Sequence, residues 1–483
     1  MNTRALCLVL VAMSMAGCAN YSGLDTQGQR LDANTLQTGQ SLSGVPLSNA
    51  AWPRADWWKS LGDPQLDGLI REALQNSPDM QVASARAHQA EAAAYAANAA
   101  RMPTLDASAG VTRSRLARDQ DPLGQGDAYS TVRNIGASFN YTFDLWGGQR
   151  AAWEAALGQA RAAQVDQQAA RLTLAADVAK AYSDLGQAHI VRDLATDDLK
   201  RTQQMLDLSK RRLDSGIDSH YQYQQTESLE ASAQSQLIDA EKQLQSAKIA
   251  LAVLLGKGPD RGNELARPTV LKPAAVAVPS VLPAELLGRR PDLIAARWRV
   301  EAASKDIAAS KTRFYPNLNL SASAGAESLL GDAMFGSPSR FFNIAPTISL
   351  PIFDGGRLRA DLDARDADYD LAVAQYNKTL VQALGDIGNT LSQLRETGRQ
   401  IQAQQHATDI AQQSYDTVVQ RYGSGIGNYL DVLSIEQQLL QAQRQLATLN
   451  AGQIALSIQL MQALGGGYSA DNVASTTPAT RTE

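Results

Sequence analysis

The residues best suited to acid–base or metal chemistry are four histidines, His88, His189, His220 and His406. None stands at ligand spacing from another, so the sequence implies no metal centre. Asp361, Asp363, Asp366, Asp368 and Asp370 crowd one helical stretch. Two facing carboxylates would make a general acid–base pair, but a run of this kind reads better as a solvated helix face. Gly465-Gly466-Gly467 has no strand before it, which makes it a helix stop and not a phosphate cradle. No nucleophile elbow or P-loop motif is present. The sequence therefore reads as a non-enzyme that needs no cofactor.

One side chain does have chemistry written around it. Met1-Asn2-Thr3-Arg4 is a short basic start, and Ala5 to Met15 is an apolar run too short to span a bilayer. Ala16-Gly17-Cys18 follows. The pattern resembles a bacterial lipoprotein signal: residues 1–17 are removed and lipid, including a palmitate, is attached to Cys18. Met15 departs from the Leu usual at that place. Ala19, where an Asp would favour inner-membrane retention, implies delivery to the outer membrane. Cys7 lies in the leader, so the mature chain has no pair for a disulfide.

The elements that follow are organised around a junction that occurs twice. Ser138 to Gly148 reads SFNYTFDLWGG, and Ile348 to Gly356 reads ISLPIFDGG. Each is an alternating strand that meets an Asp and a Gly pair, then a long helical pattern. Further landmarks recur in step. Pro291 follows Pro78 by 213 residues, Asp354 follows Asp144 by 210, and Gly465 follows Gly256 by 209. The chain of 483 residues is a duplicated unit.

The expected organisation runs as follows. An N-terminal segment occupies 18–64. Repeat 1, 65–256, holds strands at about 104–113 and 132–143, a long helix, a tip at 214–220 and a second helix. A Pro-rich linker spans 257–283. Repeat 2, 284–465, holds strands at about 317–326 and 341–353, a long helix, a tip at 423–428 and a second helix. A tail covers 466–483. The second helices carry heptad stripes, Leu237, Ala240, Leu244, Ala247, Leu251 and Leu254 in one and Leu439, Ala442, Leu446, Leu449, Leu456 and Leu460 in the other. Ala-, Gln- and Ser-rich helices with 6% aromatics suit long helices wetted on two sides. The net charge of −5 and the lack of a basic stripe exclude nucleic acid as a partner.

The strands have the length that a tilted strand needs to cross a bilayer. Aromatics gather at their ends: Phe143, Trp146, Phe314, Tyr315, Phe341, Phe342 and Phe353. Four strands cannot close a barrel, and an open sheet edge is not viable in lipid. Several chains must then share one barrel.

Asp56-Trp57-Trp58, Arg290-Pro291-Asp292-Leu293, Phe314-Tyr315-Pro316-Asn317-Leu318, Leu350 to Gly356 and Leu254-Leu255-Gly256 resemble the outer-membrane factor (TolC-like) family of Gram-negative efflux systems, in its OprM-like lipoprotein branch. The resemblance implies a mainly α homotrimer with one shared 12-stranded transmembrane β-barrel and a periplasmic α-barrel of long hairpins. It implies an outer-membrane, lipid-anchored exit duct of a tripartite system, serving multidrug resistance with a periplasmic adaptor and an inner-membrane pump of RND type. An outer-membrane channel for type I protein secretion is the alternative, and a periplasmic coiled-coil adaptor a more distant one. Adaptor contact would fall to the tips Ser215, Gly216, Ile217 and Ser424, Gly425, Ile426. The gate would use Tyr422, Leu430, Asp431, Arg421 and Asp218. Gly427, Gln222 and Ser434 stand where TolC has charged latch residues, so the latch must differ. Acidic residues of the 361–370 stretch, if they face the lumen, would bias passage toward cations.

Overall fold

A computed structural model describes residues 20–36, 47–48, 52–115, 129–269, 271–273, 278–279, 287–328 and 334–468. The expected signal peptide, Cys18, the first strand loop, most of the linker's end and most of the tail lie outside the described residues. The elements are α1 (Pro64–Asn76), α2 (Pro78–Ala99), β1 (Thr104–Arg115), β2 (Tyr129–Phe143), α3 (Gly148–Asp214), α4 (His220–Leu254), α5 (Pro291–Thr312), β3 (Asn317–Ser328), β4 (Arg340–Ser349), α6 (Arg357–Gly423) and α7 (Tyr429–Ala463). The two halves match in length. Helices α3 and α6 have 67 residues each, and α4 and α7 have 35 each.

The described residues fall into two compact units. The first takes its residues from Met1–Arg30, Ala87–Ala163 and Ala295–Asn377. It contains one sheet of order β1-β2-β3-β4, antiparallel throughout. The register separates the side chains by type. One row across the strands is Leu105, Phe139, Ala322 and Ile344, and another is Phe143, Leu318 and Ile348. The opposite face carries Asp106, Ser138, Ser323 and Asn343 in one row, and Asn140, Ser321 and Ala345 in another. A period of two puts most apolar residues on one side and most polar ones on the other. Val132, Phe341 and Ala345 are the exceptions on the polar face, and Phe341 lies over Gly136 and Gly325. A Cβ on Gly325 would come within 2.3 Å of the Ile135 carbonyl oxygen, so β2 and β3 approach this closely only with glycine there.

Four strand limits differ from expectation by two residues or more. β1 reaches Arg115, β2 starts at Tyr129, β3 runs on to Ser328, and β4 stops at Ser349 instead of continuing to 353. Pro351 has no N–H to give a ladder, and Leu350 before it is restricted as well. The strand-to-helix corners work as their composition suggests. The Asp144 carboxylate accepts from the amides of Gln149 (3.0 Å) and Arg150 (2.8 Å). The Asp354 carboxylate accepts from those of Gly356 (3.0 Å) and Leu358 (2.8 Å). Each carboxylate satisfies amides that the first helical turn leaves unpaired. Trp146 stacks on Tyr315 at 4.9 Å and donates to the Pro316 carbonyl.

The aspartate stretch on α6 is not simply solvated. Asp370 accepts from the amides of Gln27 and Gly28, at 2.7 Å for the latter. Asp361 accepts from Ser310 and pairs with Arg313, both at 2.9 Å. Arg359 donates to the carbonyls of Asn20 and Ser22. Tyr21 packs edge-on against Phe314 at 5.5 Å, beside Ile307, Leu358 and Leu362. These residues strap the N-terminal segment along α6. Asp366, buried and with one carboxylate oxygen unpartnered, has its pKa raised, chiefly by burial.

The second unit takes its residues from Leu31–Arg86, Gln164–Ile294 and Lys378–Glu483. Its core joins Trp57, Trp58, Leu61, Leu66 and Ile70 to Val178, Tyr182, Leu185, Leu251 and Leu255. Each such side chain contributes about 2 kcal/mol by leaving water. Asp63 caps α1 through the Gln65 amide and also receives the Tyr182 hydroxyl (2.7 Å) and both donors of Thr269. Burial pushes its carboxyl up, but the Tyr182 and Thr269 hydrogen bonds outweigh this and leave the pKa below its usual value. The folded state thus favours the ionised form, and this stabilisation is lost as pH falls through the lowered pKa. Asp63→Ala would strand Tyr182 and Thr269 and is expected to cost about 3 kcal/mol, read as an earlier midpoint in denaturant unfolding. An unchanged midpoint would show that water replaces the carboxylate.

Candidate functional site

The tips of the two hairpins repeat one local design. Helix α3 ends at Asp214, and the Ile217 amide returns to the Arg212 carbonyl (2.8 Å) across Gly216, whose φ is +72°. Helix α6 ends at Gly423, and the Ile426 amide returns to the Arg421 carbonyl (3.1 Å) across Gly425, with φ +81°. A left-handed residue after a helix end favours glycine, which fixes these positions. The next helix starts with its own cap: Ser219 and Gln222 form a reciprocal capping box, and Asn428 receives the Leu430 amide. Gln222, at one of the TolC latch positions, is thus a capping residue. Ile217 and Ile426 remain 64% and 72% exposed, so each turn presents one large apolar side chain.

Behind the turns a buried cluster joins the two hairpins. Tyr422 donates its hydroxyl to Asp218 Oδ2 at 2.9 Å. Arg212 Nε donates to the other oxygen of the same carboxylate at 3.0 Å. Arg212 also lies over the Tyr422 ring at 4.5 Å and reaches the Tyr422 carbonyl at 3.3 Å. The Asp218 side chain is only 2% exposed and that of Arg212 15%. A buried carboxylate needs a cation and further donors, and Asp218 has both. Burial and the bond to Asp218 push the Tyr422 phenol above its usual range, so it remains a donor at any physiological pH. Met205, Tyr429 and Val432 complete the apolar surround, and Thr226 Oγ1 lies 3.0 Å from the Tyr429 hydroxyl.

The structure therefore brings together Tyr422 and Asp218 from the expected set. Arg421, Leu430 and Asp431 lie exposed on this chain and do not enter the cluster. The arginine that does is Arg212, which sequence reasoning passed over. Its signal was present in the six-residue separation from Asp218 across a glycine turn, but choosing it over Arg211 requires the phase of the last helical turn. Among the described residues no group of carboxylates, histidines and cysteines could hold a metal ion, and no helix is long and apolar enough to cross a membrane.

A two-faced four-stranded sheet, paired long hairpins and glycine tips are the parts of a channel. A family model described as outer membrane efflux protein matches residues 69–257 and 282–466. The chain belongs to the outer membrane efflux protein family. Multidrug resistance outer membrane protein MdtP of Escherichia coli K12 is 30% identical, with 97% of each chain covered. Fusaric acid resistance protein FusA of Burkholderia cepacia is 36% identical over 76% of this chain and 69% of its own. Pyoverdine export outer membrane protein OpmQ of Pseudomonas aeruginosa PAO1 is 33% identical over 86% of this chain and 88% of its own. The crystal structure of outer membrane protein VceC from Vibrio cholerae matches with a TM-score of 0.79 at 35% identity, covering 86% of this chain and all of that one. The Campylobacter jejuni CmeC channel, at 21% identity, shares the fold with a TM-score of 0.83 over 93% of this chain.

The resemblance read from the sequence is thus correct in family and fold. The protein is an outer-membrane efflux channel of the TolC-like architecture, with an α-barrel and a β-barrel portion. Family and fold are those of channels and not of enzymes.

Proposed function

We propose that three copies of this chain form one exit duct, which receives solutes from an inner-membrane pump, of RND type, through a periplasmic adaptor. The observation that carries the reading is the sheet. Its apolar and polar faces are separated, while β1 and β4 each have one strand neighbour among the described residues. Unpaired backbone edges are prohibitively costly in hydrocarbon. Sister copies relieve the cost by pairing β1 of one with β4 of the next, and three copies give 12 strands. The polar face then lines the water-filled bore. Lipid on Cys18 adds a second attachment to the outer membrane. Its place two residues before the strapped Asn20–Ser22 segment supports this, because the strap ties the anchor to the sheet's own unit.

The Arg212–Asp218–Tyr422 cluster serves as the gate in this reading, since it fastens one hairpin to the other directly behind the tips. Ser215, Gly216 and Ile217, with Ser424, Gly425 and Ile426, form the adaptor contacts. Their exposed isoleucines offer the apolar knobs that a helical partner would cover. The cargo class is small organic solutes, in keeping with the names of the relatives above.

Deleting the gene is expected to lower tolerance to drugs, and a plasmid copy to restore it. A Cys18→Ser copy is expected to lose the acyl mass in intact-protein mass spectrometry while its strands still hold it in the membrane. Unchanged tolerance with loss of an exported protein would overturn the solute reading in favour of protein secretion. Only monomers after cross-linking in membranes would overturn the shared barrel.

A further inference from the structure

Behind the gate cluster, a second set of charges lies between the hairpins, and the gate reading does not use it. Glu436 of α7 is 6% exposed. Its Oε1 stands 3.5 Å from Arg201 Nε of α3, and Arg201 also faces Asp198 of α3 at 3.4 Å. Both separations are too long for good hydrogen bonds, and Glu436 Oε1 and Arg201 Nε have no hydrogen-bond partner. One guanidinium therefore stands between two buried carboxylates. Among the described residues, Arg201 is the one cation acting on Glu436. Helix α6 contributes Tyr415, whose ring lies 5.8 Å from the guanidinium, with Asp416 beside it. Helix α4 contributes the neutral Thr226, and α7 itself contributes Tyr429. A cavity of about 10 Å³, lined by Thr202, Met205, Leu229 and Leu433 among others, abuts Glu436. It is too small to hydrate an ion.

We propose that Glu436 is a proton-operated latch between the two hairpins: protonated, it leaves Arg201 to Asp198 and the hairpins pack; ionised, it drives them apart. The supporting shift has a clear direction. Burial, then the nearby Asp198 charge, push the Glu436 carboxyl up to about 7 against the opposing pull of Arg201. When the hairpins separate, water reaches the group and its pKa returns toward the ordinary 4.5. The packed arrangement therefore holds more protons between pH 4.5 and about 7. Its advantage is complete below that window, falls as pH rises through it, and is gone above it. Acid closes the latch and neutral pH releases it. The consequence for conduction rests on the gate reading.

The test uses the purified full-length protein in planar lipid bilayers between pH 5 and 8, with wild type, Glu436→Gln, Asp198→Asn and Asp218→Ala. The wild-type ratio of open to closed time is expected to rise roughly fifty-fold across this range and to level off above pH 7. Glu436→Gln is expected to remain flat at the acid level. Asp198→Asn, which removes the repelling charge without touching Glu436, is expected to shift the rise to lower pH. A Glu436→Gln profile that follows wild type, or an Asp198→Asn profile that does not move, overturns the latch. Amide hydrogen exchange over residues 429–440, corrected for the intrinsic effect of pH, reads the latch without conduction. Fast exchange at pH 8 and slow exchange at pH 5 in wild type, with no change in Glu436→Gln, supports it. Exchange that is the same at both pH values in wild type overturns it. If Asp218→Ala leaves conduction unaltered while exchange behaves as described, the gate reading fails and the latch stands.

Discussion

Asp218→Ala is expected to raise the ratio of open to closed time of the channel about a hundredfold. The carboxylate takes a proton donor from Tyr422 and a guanidinium from Arg212, and its side chain is 2% exposed. Removing one partner of a buried pair leaves the other charged and dry, which costs about 3 kcal/mol or more. That cost falls on the packed tips alone, because separated tips expose Arg212 to water. At 1.4 kcal/mol per factor of ten, it corresponds to about two decades. Tyr422→Phe removes only one charge-assisted hydrogen bond and is expected to give about tenfold. Arg421→Ala, on an exposed residue of the same turn, is expected to change nothing. Single-channel recording distinguishes the three. An Arg421→Ala channel that opens as readily as Asp218→Ala would refute the choice of Arg212 as the cation.

A second large effect is expected from two adjacent residues at the middle of β3. Ala322 aligns with Phe139 and Ile344 on the apolar face, and Ser321 aligns with Asn140 and Ala345 on the polar one. Ala322→Arg is expected to lose about 2–4 kcal/mol per chain, the cost of a cation at the bilayer midplane. Ser321→Arg is expected to insert normally, with its charge in the bore. The measurement is denaturant unfolding of each variant in lipid vesicles, together with the yield of membrane-inserted protein. Equal stability of the two variants would mean that the apolar face does not meet lipid.

The strand faces were legible because alternation is a property of the chain itself. Once the strands pair in register, Leu105, Phe139, Ala322 and Ile344 can only share a side. Phe341 breaks the rule on the polar side, and its reason is the pair of glycines beneath it on other strands, which no local pattern announces. The helix lengths were also legible, since no proline interrupts them. The end of β4 was not, because alternation continues through Leu350 and Ile352 although Pro351 has ended the ladder.

At the tips, glycine and the caps follow from local geometry, whereas partner choice does not. Arg211, Arg212 and Arg421 are equivalent in sequence, and only the helix phase turns Arg212 inward. The aspartates of α6 show the same limit. Asp370 finds its donors in Gln27 and Gly28, more than 340 residues earlier. A run of acids on a helix gives no sign of a strap arriving from so far away. Glu436 was equally silent, since a glutamate on an amphipathic helix looks solvated until the packing shows otherwise.

The equality of the helices, 67 with 67 and 35 with 35, constrains how such a chain can change length. Adding one heptad to a single hairpin would carry its turn about 10 Å past its twin and pull Asp218 away from Tyr422. Viable insertions must therefore come as matched sets in all four helices, in steps that preserve the seam. Lineages of this channel should grow or shorten by paired indels, and a solitary one should be accompanied by loss of the fastening between the tips.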